Sequence, residues 1–284
     1  MKRTRTISMV VTVFVLLAAF TGCRAKTQKK EAEAGGVRKI IVGFVNFYPL
    51  TYVEDNGNIT GCDIEAARLV DELLPDYQFE YVPLDQSAVF AGLQSGRIQM
   101  GLTNSFYTEE RAAKYLKPRE NLGASTVGFI TRAEHANVKN LEDVYDNGLK
   151  LAPMLAGDGN YYIIQQWNKA HPDKAIKLDA TDDVNSFANN FGFVAEGRYD
   201  FAMVPRYYYE TLVIAPTGTY HKFQDQLVHR VYDSTETWSF LPKGEDEFEA
   251  KLSEAIAKVK AQGKLEELSI KFFGYNNWEY LKKK

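Results

Sequence analysis

Thr103, Asn104, Thr108 and Arg111 bring hydroxyl, amide and guanidinium groups close together along the chain. Such a set suits an anion, because the planar fork of a guanidinium matches the two oxygens of a carboxylate. The four residues lie in the segment Met100 to Leu116, where a short apolar run ends in Thr103-Asn104-Ser105 and a helix starts at Thr108. Thr108 is an N-cap candidate followed by Glu109 and Glu110, the acids usual in a first turn. Arg111 falls in that same turn, against the preference of the helix dipole. Free backbone N–H groups at a helix start favour an anion. The plainer alternative is that Arg111 pairs with Glu109, Glu110 or a more distant acid.

The elements that must hold these residues begin after a lead segment. Lys2, Arg3 and Arg5 form a basic stretch, and Ile7 to Phe20 is nearly all apolar, too short for a membrane span and read as an export signal over residues 1–22. It ends in Phe20-Thr21-Gly22-Cys23. Residues 23–36 are polar and close with Gly35-Gly36, as a flexible linker would. Losing the signal removes three basic residues and takes the formal charge from −3 to about −6. That mild acidity, with no basic stripe, argues against nucleic-acid binding. Cys23 and Cys62 are the only cysteines, and Cys62 opens a helical pattern as a small packing residue. The four histidines (His135, His171, His221 and His229) are scattered, and no metal spacing is present. No cofactor is expected.

From Val37 onward, strand-like and helical stretches alternate. Strands are expected at Lys39 to Val45, Tyr77 to Leu84 and Met100 to Thr103, with a hairpin at Asn56-Gly57. Helices are expected at Asp63 to Leu74 and Ser87 to Ser95. After Arg111 the pattern restarts, with strands at Ser125 to Thr131, Lys150 to Met154, Ile176 to Ala180 and Tyr199 to Val204. The intervening helices are Leu141 to Tyr145, Asn160 to Lys169, Asp183 to Ala195 and Arg206 to Ile214. This alternation implies a mostly parallel sheet covered by helices. A faint duplication links Gly96 to Gly101 with Gly197 to Ala202, each closing a helix before an apolar strand. Gln226 to Leu241 is a long strand that would pair with Ser125 to Thr131, giving two crossings that act as a hinge. Phe248 to Phe273 reads as two helices broken at Gly263, with Phe248, Leu252, Ile256 and Val259 on one face.

Several pieces carry a resemblance. They are Pro49 with Tyr52, Gly57 to Glu65, Leu93-Gln94-Ser95-Gly96-Arg97, Thr108-Glu109-Glu110-Arg111, and Gly263-Lys264-Leu265 near Phe272-Phe273-Gly274. In this order, behind a lipobox-like Cys23, the chain resembles extracellular solute-binding proteins of the polar amino-acid ABC-transporter family. The resemblance implies an α/β fold, a two-lobed periplasmic-binding-protein-like (type II) clamshell with two hinge crossings. Lobe 1 would comprise residues 37–126 and 227–284, and lobe 2 residues 127–226. Arg111 matches the arginine that holds a ligand carboxylate, with Thr108, Thr103 and Asn104 beside it. Phe47 or Tyr48 matches an aromatic wall, Phe106 lies on the cleft side with Tyr161, and Gly157 to Asn160, with Gly159 between, matches the helix-start loop of the second lobe. Where many members place an aspartate for the ligand amino group, this chain has Pro205-Arg206. Glu210, Asp158 or Asp182 could substitute, and Arg206 could read a second anion or lie on the surface. Trp167 to Pro172 is similar to cystine-binding members.

The resemblance implies a substrate-binding lipoprotein, lipidated at Cys23 and held at the extracytoplasmic face of the cell membrane. It would act as a monomer that binds an amino acid or other small carboxylate and hands it to an ABC permease, without catalysis. The competing expectations are an enzyme resembling cyclohexadienyl dehydratases and a ligand-sensing adaptor lipoprotein.

Overall fold

The computed structural model describes residues 36–281 apart from positions 157 and 184, so the expectations on the signal and on Cys23 lie outside the described residues. Strand β1 (Arg38–Phe44) leads to a hairpin of β2 (Tyr52–Val53) and β3 (Ile59–Thr60), turned at Gly57 with φ 86°. Helix α1 (Cys62–Asp71), β4 (Tyr77–Pro83), α2 (Gln86–Ser95), β5 (Met100–Phe106) and α3 (Glu109–Lys114) follow. Strand β6 (Gly123–Arg132) opens a second series of α4 (Leu141–Asp146), β7 (Met154–Leu155), α5 (Gly159–Ala170), β8 (Ala180–Thr181), α6 (Ser186–Ala195), β9 (Phe201–Pro205) and α7 (Arg206–Tyr209). Strand β10 (Leu227–Phe240) returns to the first series, and α8 (Asp246–Ala261) and α9 (Lys264–Phe273) close the chain.

The main sheet runs β4-β1-β5-β10-β6-β9. Strand β1 is parallel to β4 and β5, but β10 is antiparallel to β5 and β6, and β6 is antiparallel to β9. The sheet is therefore mixed, not mostly parallel. Parallel neighbours need a crossover connection, whereas β6 and β10 are long strands that run past each other in opposite directions. Thr237 of β10 pairs with Phe106 of β5, while Leu227 at its other end pairs with Arg132. These two strands thus link two cores. Where they cross, the register shifts between Val231 and Asp233, and a Cβ on Gly128 would meet the Arg230 carbonyl at 2.0 Å.

The first core contains Ile40, Val42, Phe44, Ile64 and Met100, together with Phe248, Leu252, Ile256 and Val259 from one face of α8. Burying each such side chain contributes about 1.5–3 kcal/mol. Trp278 joins the same cluster, so the end of the chain completes the core that its beginning started. The second core gathers Phe129, Leu141, Ile164, Phe201 and Met203, with Phe191, Val194 and Val204 on the opposite side of the sheet. The duplicated segments behave alike. Gly96 at φ 74° and Gly197 at φ 73° close α2 and α6 in the left-handed region that favours glycine, and β5 and β9 follow.

Two expected strands shrink. Pro153 cannot donate to a ladder, and Lys150 to Met154 reduces to a single bridge at Leu151 and to β7. Ile176 instead has both backbone groups bonded by the Asn168 side chain, each at 2.8 Å, which takes the place of a strand partner. The expected helix after β9 is α7 continued by a π-helical turn, Glu210–Ile214.

Candidate functional site

A cleft of about 240 Å³ lies where the two cores meet. Phe47, Thr103, Asn104, Phe106 and Arg111 line one wall, and Asp158, Gly159, Asn160, Tyr207 and Tyr208 line the other.

The first wall is shaped by a bulge. Ser105 pairs with Trp238 and Leu102 with Ser239, so Thr103 and Asn104 drop out of register and β5 runs further than its apolar run implies. Asn104 takes φ 46°, a left-handed conformation that asparagine tolerates better than most residues. Its amide oxygen is buried without a partner. The Thr103 and Ser105 hydroxyls are 2.7 Å apart. Thr108 then caps α3, its hydroxyl accepting the Arg111 N–H at 3.2 Å. The cap fixes the backbone, and the Phe106 carbonyl accepts from Arg111 Nη1 at 2.8 Å, fixing the guanidinium. Glu110 pairs with Lys114 at 2.7 Å, and no carboxylate forms an ion pair with Arg111 among the described residues. Burial draws the guanidinium pKa down, with Asp158 the first carboxylate to oppose it.

The second wall begins with Asp158, the cap of α5. One carboxylate oxygen accepts from the Asn160 N–H at 2.7 Å and from Asn160 Nδ2 at 3.0 Å. Burial pushes the Asp158 carboxyl up, while its bonds to Asn160 and the Arg111 charge pull it back. Asn160 is 2% exposed, and its amide oxygen has no partner. Gly159 lies flat on Phe106, since a Cβ there would stand 1.8 Å from the ring. Phe47 meets Tyr207 edge-on at 5.5 Å and Tyr208 at 5.3 Å, so aromatic contacts also join the walls.

Not every candidate residue reaches this space. Thr108 acts through its cap and does not line the cleft. Tyr48 is 58% exposed and packs against Tyr52. Arg206 points elsewhere, with its guanidinium carbon 4.0 Å above Tyr275 and Nε donating to Glu210 at 3.1 Å. Glu210 is thereby occupied, and Asp182 is exposed outside the lining. Tyr161 packs against the second core, not in the cleft. Gln86 and Phe187, at the starts of α2 and α6, do line it and were not anticipated. Their signal was available in principle, since helix starts after strands face the cleft end of an α/β sheet.

The remaining polar groups of interest are structural. His229 is held neutral because burial lowers its pKa to about 4, and it stacks on Tyr209. His171 stacks on Trp167 at 3.8 Å. Cys62 is buried and burial pushes its thiol up. Among the described residues, no cluster of histidine, cysteine and carboxylate side chains could hold a metal ion.

The fold is shared with known proteins. Residues 40–275 match the family model of bacterial extracellular solute-binding proteins, family 3. The chain is 24% identical over 275 residues to the L-cystine-binding protein TcyJ of Bacillus subtilis (strain 168), covering 96% of each. It is 20% identical over 281 residues to the L-cystine-binding protein TcyK of the same organism, covering 98% of this chain and all of the other. A structure solved in work on glutathione import via GshT and the cystine ABC importer TcyBC of Streptococcus mutans superposes with a TM-score of 0.65 at 23% identity, over 84% of this chain and 96% of that one. The L-cystine solute receptor of Neisseria gonorrhoeae, in its unliganded open conformation, gives 0.59 at 22% identity over 84% and 94%. The fold is the two-lobed type II arrangement, with β6 and β10 as its crossings.

Proposed function

Because the chain belongs to the bacterial extracellular solute-binding proteins, family 3, we propose that it captures an amino acid, cystine or a related small carboxylate and delivers it to the permease of an ABC importer. The observation that carries this reading is Arg111, oriented by the Phe106 carbonyl toward the cleft without a carboxylate bound to it among the described residues. A ligand carboxylate would take the open side of that fork, as a charge-assisted pair. The lobes would be residues 37–126 with 227–284, and 127–226. With the lobes apart, Arg111, Thr103 and Asn104 receive the ligand; closure then buries it against Asp158 to Asn160 and the Tyr207–Tyr208 pair, so ligand selects the closed state. The site binds and releases its ligand without a covalent step. The protein acts as a monomer, held to the membrane by a diacylglyceryl group on Cys23, whose added mass at the mature N-terminus is the check.

Titration calorimetry of the purified protein with L-cystine, the common L-amino acids and dicarboxylates tests the reading. Saturable one-to-one binding of at least one carboxylate is expected, with a rise in thermal stability of about 2.7 kcal/mol at a hundred times Kd. Absence of binding across the whole panel would overturn it.

A further inference from the structure

The wall that carries Arg111 has a second side. Asn104 lines the cleft and also a small pocket behind it, bounded by Asp63 of α1, Gly123 of β6, and Thr237 and Ser239 of β10. That pocket is too small to admit a water molecule. Asp63 is 6% exposed and is fixed by its own N–H, which donates to the Leu50 carbonyl at 2.9 Å. Its carboxyl lies where β6 starts: a Cβ on Gly123 would stand 3.2 Å from Asp63 Oδ1 and 2.4 Å from Thr237 Oγ1. No hydrogen bond or neighbouring charge offsets the burial of this carboxyl, which pushes its pKa up to about 7. Two residues that share the pocket also carry buried atoms without a partner, the Asn104 amide oxygen and the Ser239 hydroxyl. Charged side chains on the elements packed around Asp63 are engaged elsewhere: Glu65 of α1 with Arg68, Glu80 of β4 with Lys39, Lys260 of α8 with Glu120, and Lys264 of α9 with Glu267. Lys117 lies 3.5 Å over the Trp238 ring, and Glu236 of β10 is exposed. Cys62, the preceding residue, has its thiol pushed up by burial and then by Asp63.

A buried carboxylate beside a buried amide oxygen sets two acceptors together with no donor between them. One proton resolves this, because a neutral carboxyl gains an O–H that an amide or hydroxyl oxygen accepts. An amide carries its acceptor and its donors on different edges, so Asn104 with its oxygen turned back presents its NH₂ to the cleft. Ionised Asp63 reverses the preference: it draws the NH₂ back and turns toward the cleft an oxygen that repels a ligand carboxylate. We infer that Asp63 is a proton-binding residue behind the ligand site, and that capture of a carboxylate at Arg111 and Asn104 takes up one proton at Asp63. This rests on the reading of the cleft as a carboxylate-binding site. The proton comes from solvent, adds to a carboxylate oxygen of Asp63, and returns to solvent when the ligand leaves. Asp63 touches no ligand; it is a positioning residue that acts through Asn104. The ligand's own negative charge works in the same direction, since a second anion nearby disfavours an ionised carboxyl. Binding should therefore be strongest at pH 6 and about tenfold weaker at pH 8, as the empty protein loses the proton near pH 7.

Titration calorimetry in buffers of different ionisation enthalpy counts the protons, with L-cystine, the common L-amino acids and dicarboxylates as probes. Wild type and Asp63→Asn are compared from pH 6 to pH 8. Asparagine keeps a donor at this position at every pH, so the variant should bind with an affinity constant to within about twofold across the range. Wild type should take up more protons than the variant, by about half a proton at pH 7 and nearly one at pH 8. Protons exchanged by the probe or by Asp158 appear equally in both proteins and cancel. Without ligand, a carboxyl whose pKa is raised by folding stabilises least at high pH, so the variant should melt above wild type at pH 8, with the gap closing toward about pH 4. The carbon-13 shift of the Asp63 carboxyl in wild type decides the matter without any variant: it should titrate near pH 7 in the empty protein and stay protonated to pH 8 with ligand bound. Equal proton uptake by the two proteins, or an Asp63 carboxyl whose titration ligand does not move, would overturn the proton link while leaving carboxylate capture intact. Failure of every probe to bind wild type at any pH would overturn both.

Discussion

The turns that follow β5 and β9 are built on one plan and end in different chemistry. Each strand is preceded by a helix closed at a left-handed glycine, and each leads into a short helix bearing an arginine. After β5, Tyr107 and Thr108 separate strand from helix, and Arg111 becomes the third helical residue. After β9, Pro205 is the last strand residue and Arg206 the first of α7, with no spacer between them. That difference in spacing rotates the two arginines apart. Arg111 lines the cleft, whereas Arg206 lies over Tyr275 and bonds Glu210 one turn later. Tyr207 and Tyr208 line the cleft in its stead. A shared strand-into-helix plan therefore fixes where a wall stands, and the residues in the turn decide whether it offers charge or ring.

The largest effect should come from the charged wall. Arg111→Ala leaves the ligand carboxylate without its partner, a loss of about 2–5 kcal/mol, or roughly thirtyfold or more in Kd. Stability without ligand should change much less, because the fork has one backbone acceptor and no ion pair among the described residues. Calorimetry with the best ligand of the wild type decides this. Affinity near that of wild type would remove Arg111 from the site and erase the contrast between the two turns.

A smaller effect should appear where the walls touch. Gly159→Ala places a methyl group where Phe106 now lies, 1.8 Å from the ring. Alanine suits a helix better than glycine, so α5 alone should tolerate the change. Overpacking at the closed contact should cost about 1–3 kcal/mol, roughly five- to hundredfold in affinity. Solution scattering should show the variant less compact than wild type at the same ligand concentration. Unchanged affinity and dimensions would mean that Phe106 and Gly159 do not meet in the bound form.

Much of the first turn was legible in the chain because its logic is local. A threonine followed by two acids marks a cap, and the cap alone dictates that Arg111 enters the first turn. The bulge at Thr103 and Asn104 was not legible, since it arises from pairing with β10, a strand far away in sequence. The direction of β6 and β10 was hidden for the same reason, and the sheet came out mixed. Tyr207 and Tyr208 sit in an unbroken aromatic run, which has no period to say which ring faces the core and which the cleft. Asp158 was visible as a residue of the helix-start loop, but its isolation as the cleft's carboxylate depends on Glu210 being bonded and Asp182 being exposed. Charge availability is a property of neighbours, and neighbours are set by the fold.

The smallest effect should belong to Arg206, and it is the sharpest check on the comparison. Its guanidinium is partly exposed, stacked on Tyr275 and paired with Glu210 within one helix. An exposed pair four residues apart contributes a few tenths of a kcal/mol, and the stacking adds about 0.5–1 kcal/mol. Arg206→Ala should therefore lower thermal stability by about 1 kcal/mol and leave ligand affinity within about twofold of wild type. Melting curves and calorimetry on the same preparation read both numbers. A loss of affinity approaching that of Arg111→Ala would show that ligand draws Arg206 off Tyr275 and into the cleft. The two turns would then differ only in the empty state, and the bound ligand would carry a second anionic group.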